Sequence, residues 1–380
     1  MQEIIGISET IVNKLIKRAN SLGQGRSVGT IGFVDSEGYI SGFSEIINGG
    51  TSGIPFRILL SGITGKKHLS LLEMVNHLPD NSVIISVKPG KTGIIVSTSG
   101  INIFDLPIVK IGLKNGQPAG VGLLYPKPEL FNLATQSEKA QLKSLAALTM
   151  EDEKKALRES TELHLKYLDI SQEIPAVELN NKQDSLKPPD YQDWELPTPN
   201  KVKSISKEFA ESLVAKSNKV EQGREVAAFG RINQQGHVEQ TGDIIVGGMG
   251  YIPSRLLASA YREISSISLR EVYTDVISPN SVIVHTHPGG TGVMHISDAM
   301  AGPGTWGRSI IAIGHNKKGD IKGGNVVEPS SELFKLADEK EEIDQKFFDV
   351  DTSDEEVDIR KRRYEIAQEF TDLCEEIEIA

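Results

Sequence analysis

The chain is predicted to be an α/β (α+β) protein built as two tandem copies of one unit, on three observations. First, Ser8, Gly25-Arg26, Gly49-Gly50, Pro55 and Arg57 recur as Ser206, Gly223-Arg224, Gly247-Gly248, Pro253 and Arg255, at a constant offset of 198 residues. The offset becomes 199 between Asn81-Ser-Val-Ile84 and Asn280-Ser-Val-Ile283, and Glu129-Leu-Phe recurs later as Glu332-Leu-Phe. Second, amphipathic helical patterns alternate with short β-branched runs. Third, 380 residues accommodate two ordinary domains, each with its own core. The repeated unit reads as roughly 130 residues, and two copies are too few for a solenoid.

Ser8 caps a helix whose apolar face carries Ile11, Val12, Leu15, Ile16 and Ala19. A strand follows Gly25-Arg26-Ser27-Val28, then a turn at Asp35-Ser-Glu-Gly38, a second strand, and a helix beginning near Pro55. The second copy repeats this order from Ser206, with Phe209, Leu213 and Val214 on its helix face and a turn at Asn233-Gln-Gln-Gly236. Between the copies, residues 136–170 read as charged helix. Residues 171–200 hold Pro175, Pro188, Pro189, Pro197 and Pro199, a linker composition. The expected division is therefore 1–135, a linker over 136–200, 201–340, and an acidic helical tail over 341–380. Ser353-Asp-Glu-Glu356 reads as a capping box opening the tail helix. Ile359, Ile366, Phe370 and Leu373 form one face of that helix, which must pack on this chain or on a partner.

A net charge of −11 argues against a nucleic-acid partner. Cys374 is the only cysteine, which excludes a disulfide framework and a thiolate metal cluster and fits a reducing, cytoplasmic setting. No apolar run approaches membrane-spanning length, and the first residues carry no secretory pattern, so no membrane role is expected.

The chemistry concentrates in residues 280–298, which hold three of the eight histidines. His285 and His287 end a strand begun by Ser281-Val-Ile-Val284, and period-two alternation puts both rings on one face. Pro288 and Gly289, Gly290 and Gly292 stop that strand. Asp298 lies at a helix start, with His295 one turn earlier. Imidazoles and a carboxylate converging from a strand end and a helix suit zinc. The duplication sharpens this. The copies share their glycines and prolines, yet Ser27 stands opposite Glu225, Ser86 opposite His285, Lys88 opposite His287 and Ser99 opposite Asp298. The second copy carries groups that the first lacks. Lys88 would place an ammonium where the second copy places a metal ligand. His68, His77, His164, His237 and His315 have no such company and read as surface or helix residues.

Glu225 before a strand, then His285-x-His287-Pro288, then Asp298 resembles the JAMM/MPN (JAB) zinc metalloprotease motif. The resemblance covers most of each repeat, but the metal-site residues match in the second copy alone. It implies two MPN-type domains, each a mostly antiparallel mixed sheet flanked by helices, pairing within the chain. It also implies Zn2+ held by His285, His287 and Asp298, with Glu225 as general base. Hydrolysis of peptide or isopeptide bonds of ubiquitin-like modifiers is the implied reaction. Three protein ligands would leave one open position for an activated water. The family's serine is replaced by His295, and Ser297 lies two residues further on. His295 is thus a candidate catalytic hydrogen-bond donor to an oxyanion, a fourth zinc ligand, or a partner of Asp298. As a fourth ligand it would close the site, making the protein a non-hydrolytic scaffold that binds a modifier or partner.

Overall fold

The computed structural model describes residues 2–51, 53–95, 99–179, 194–220, 222–262 and 264–380, with nothing described of the Ser99 side chain. The first unit runs β1 (Gly6–Ser8), α1 (Glu9–Leu22), β2 (Val28–Val34), β3 (Tyr39–Phe43), β4 (Ile47–Asn48), α2 (Phe56–Thr64) and α3 (Leu71–Asn76). It continues with β5 (Ser82–Pro89), α4 (Ser99–Phe104), β6 (Ile108–Lys114), β7 (Gln117–Leu124), α5 (Pro128–Leu145), α6 (Met150–Ile170), β8 (Gln172–Glu173) and β9 (Ala176–Val177). These strands form one mixed sheet in the order β8-β7-β6-β5-β2-β3-β1-β9, with β4 beside β2. Apart from the parallel pairs β5–β6, β1–β3 and β1–β9, its pairings are antiparallel.

The second unit repeats every element. It runs β10 (Ser204–Ile205), α7 (Lys207–Ser217), β11 (Val226–Ile232), β12 (His237–Gln240), β13 (Ile245–Val246), α8 (Ser254–Tyr261) and α9 (Leu269–Glu271). Then come β14 (Ser281–Pro288), α10 (Ile296–Ala299), β15 (Ile310–His315), β16 (Ile321–Val327), α11 (Ser331–Lys346), α12 (Ser353–Asp372), β17 (Glu375–Glu376) and β18 (Glu378–Ile379). Its sheet order, β17-β16-β15-β14-β11-β12-β10-β18, is that of the first.

Alternation along β14 shows how each sheet divides its core. Val282 and Val284 pack toward α7 with Phe209 and Leu213, while Ile283 packs on the opposite face with Leu257, Tyr273 and Trp306. His285 and His287 share the Ile283 face. The neighbouring parallel strand β15, buried throughout, closes the sheet beside them.

The expected boundaries move. Residues 136–170 are no linker: α5 runs on to Leu145, α6 folds back so that Leu163 and Tyr167 join the first core, and β8 and β9 complete the sheet. The 341–380 segment is the matching hairpin of α11 and α12 with β17 and β18. Ile366 and Phe370 are buried in the second unit's own core, with Ile359 and Leu373 against it, so the tail's apolar face packs within the chain. The cap of α12 is Thr352, one residue earlier than expected, paired with Glu355. Most of the proline-rich stretch, 180–193, lies outside the described residues, and Trp194 and Leu196 already pack on the second unit.

The two units exchange contacts across an approximate two-fold. Arg57 of α2 donates from Nε to Asp338 Oδ1 of α11 at 2.7 Å, and the Ile58 amide donates to Glu341 at 2.8 Å. In the mirror contact, Arg255 of α8 donates from Nε to Thr135 Oγ1 of α5 at 2.8 Å. The Arg255 and Leu256 amides donate to Glu138, both at 3.1 Å. Among the described residues, no helix is long and apolar enough to cross a membrane.

Candidate metal centre

The parallel ladder of β14 with β15 carries His285 and His287 to the strand end, where β14 stops and the chain turns through glycines. Gly292 belongs here by necessity: φ is +89° and a Cβ would meet the Ala312 carbonyl oxygen at 2.7 Å. The turn returns the chain to α10, whose first turn carries Asp298. His285 Nε2 lies 3.0 Å from His287 Nε2 and 3.9 Å from Asp298 Oδ1, and His287 Nε2 lies 3.6 Å from Asp298 Oδ2. A tetrahedron of bonds about 2.0–2.1 Å long has edges of about 3.3 Å, so these separations bracket the spacing that a metal would impose.

The hydrogen bonds decide the state of the rings. His285 Nδ1 is 2.9 Å from the Ile311 carbonyl, which can only accept, so the proton sits on Nδ1 and Nε2 keeps its lone pair. The His287 ring likewise donates to the Val293 carbonyl. Burial, and then the neighbouring ring, hold the His285 imidazole well below the ordinary histidine range, so it is neutral. Two lone pairs therefore face each other at 3.0 Å beside a carboxylate, an arrangement that a cation relieves. His285, His287 and Asp298 could hold a metal ion.

Glu225 sits two residues before Ala227, which pairs with His285. It is 8 % exposed, and burial, followed by repulsion from Asp298, raises its carboxyl to about 7. Glu225, His285 and Asp298 line a cavity of about 190 Å³ whose other walls include Tyr251, Tyr273, Trp306 and Ser297. Tyr273 and Trp306 stack with ring centroids 4.2 Å apart.

Compared with protein-family models and with curated proteins, the chain matches none.

His295 is placed differently from the other candidates. It is the exposed cap residue of α10, outside both the ligand group and the cavity lining. Its backbone amide donates to Asp298 Oδ2 at 3.0 Å and orients that carboxylate, and its ring acts electrostatically on His287. Ser297 lines the cavity, as do Ser254, Tyr251 and Tyr273. Sequence reasoning missed Tyr251, Tyr273 and Trp306, because isolated aromatics carry no spacing signal. It also placed His77 and His315 at the surface or on helices. Both are 2 % exposed, and His315 lies on β15 with Nε2 3.0 Å from Ser217 Oγ.

Proposed function

We propose that the second unit is a JAMM-type zinc metallopeptidase that cleaves peptide or isopeptide bonds of ubiquitin-like modifiers. The observation that carries this reading is the pair of bare Nε2 atoms facing each other beside Asp298, with the buried Glu225 carboxyl on the same cavity. Zinc bound there supplies Lewis acidity and a coordinated water acidic near about pH 7. The protein's own groups do the rest. Glu225 takes up the nucleophile's proton and passes it to the departing amine, a role suited to a carboxyl that titrates near neutrality. The His285 link to the Ile311 carbonyl and the His295 amide on Asp298 hold two ligands in place. Ser297, on the cavity wall, would donate its hydroxyl to the carbonyl oxygen as it becomes an oxyanion. The first unit, with serines and a lysine at the corresponding positions, contributes no metal ligand and supports the second through the α2–α11 and α5–α8 contacts.

The test is cleavage of ubiquitin-like fusions and isopeptide conjugates by zinc-loaded protein. Turnover that is lost on chelation, and in Glu225→Gln despite retained zinc, supports the reading. Zinc uptake with no turnover and no effect of Glu225→Gln would instead mark a structural metal in a binding scaffold.

A further inference from the structure

The first unit's counterpart of the metal centre is a larger cavity of about 620 Å³, within the range of small-molecule sites. In-register pairing of β5 with β6 sets Ser86 beside Lys110 and Lys88 beside Gly112. Ser86, Lys88 and Lys110 therefore share one face of the sheet, opposite the face that buries Val87 toward α1. In the second unit the same three positions are His285, His287 and Ala312. One ligand position, that of His287, carries an ammonium group here, and a second ammonium stands where the other unit has Ala312.

Among the described residues, neither Lys88 nor Lys110 has a carboxylate within 4.0 Å. The acidic groups on the opposite wall, Asp344 and Glu341, have partners of their own, although the buried Asp344 Oδ1 makes no hydrogen bond among the described residues. Asp344 pairs with Lys340 at 2.7 Å and Arg363 at 2.9 Å, and Glu341 accepts the Ile58 amide. Burial, and then the Lys88 charge, pull the Lys110 ammonium below the ordinary lysine range. A second observation concerns Ser27, which lines the same cavity at the position of Glu225. Ser27 is 3 % exposed and, among the described residues, its buried Oγ has no hydrogen-bond partner. Partly buried like charges and an unsatisfied hydroxyl are costly unless a ligand completes them. Phe56 of α2 and Phe348, contributed by the second unit, give the cavity an apolar wall.

We propose that this cavity binds a small organic anion, its phosphate or carboxylate group held by Lys88 and Lys110 and its apolar body lying against Phe56 and Phe348. The second unit would then be a metal site and the first an anion site, derived from one ancestral cleft. The ligand would also touch both units, because Phe348 follows α11.

Titration calorimetry on the full chain tests this with phenyl phosphate, benzoate and neutral phenol as probes. Saturable binding of either anion, Kd below about 1 mM, with none for phenol, is expected. Phenyl phosphate binding alone would indicate a phosphate ligand and benzoate binding alone a carboxylate. The Lys88→Met, Lys110→Met double variant should bind about tenfold or more weakly. No saturable binding of either anion, or equal binding by the double variant, overturns the proposal. A second measurement needs no variant: the bound anion should protect Lys88 and Lys110 of the native protein from amine acetylation, read by mass spectrometry. Unchanged labelling of both lysines at saturating anion would equally overturn it.

Discussion

Ser297 and His295 lie at the start of one short helix, and the structure places them differently. His295 reaches Asp298 through a backbone amide that any residue but proline supplies, whereas Ser297 lines the cavity. His295→Ala should leave zinc affinity and kcat within a few-fold of the native values, while Ser297→Ala should lower kcat by about 10²–10³. Steady-state kinetics of the two variants decide between them, and the reverse ranking would return the oxyanion role to His295. Glu225 yields a pH prediction. Its carboxyl is raised to about 7 by burial and by Asp298, and a bound cation draws it downward. A base must be deprotonated, so kcat/KM should rise with pH through a limb at or below about 7. Residual turnover of Glu225→Gln should lack that limb, and an unchanged limb would remove Glu225 from the role of base.

The α12 helix shows what an unassigned apolar face was for. Ile366 and Phe370 are each 1 % exposed, in the same core as Met294 and Ala299 at either end of the turn that carries Asp298. Phe370→Ala should cost about 3–5 kcal/mol in denaturant unfolding, and a loss under about 1 kcal/mol would show that the tail does not buttress the core. The periodicity of that face was legible, but its destination was not, because an apolar stripe does not say what covers it. A signal did exist. The offset of 203 between Glu129 and Glu332 also relates Thr149 to Thr352, Tyr167 to Phe370 and Ile174 to Ile377. Tyr opposite Phe and a diverged helix surface hid the match, so the unit looked some 40 residues too short. By contrast, His285, His287 and Asp298 were legible because a strand's alternation and a glycine turn fix where side chains point. Lys110 was not, since only strand pairing brings it beside Ser86.

Across the whole molecule the halves are joined by an exchange of buried polar contacts. Glu138 and Glu341 are equivalent acceptors, each taking backbone amides of the other unit's helix, and burial raises both carboxyls from the ordinary 4.5 to about 7. The folded state then binds more protons than the unfolded state between those values. This contribution to stability is full below about pH 4.5 and is lost as pH rises through about 7. The Glu138→Gln, Glu341→Gln double variant keeps an acceptor oxygen at each place, so its stability should fall less across that window in urea titrations. An identical slope would mean that these carboxyls stay ionised in the folded protein. At this scale the duplication announced two units with one topology. It did not announce that α5 and α11 dock on the opposite unit, because Arg57 and Arg255 match in the sequence without naming Asp338 or Thr135.

The claim on which the rest depends is an open, three-ligand metal site in the second unit. X-ray absorption at the zinc edge of the loaded protein tests it most directly. Two imidazole nitrogens and two oxygens at about 2.0–2.2 Å are expected, one oxygen from Asp298 and one from solvent. Failure to take up zinc, or a third imidazole from His295 closing the shell, would contradict it.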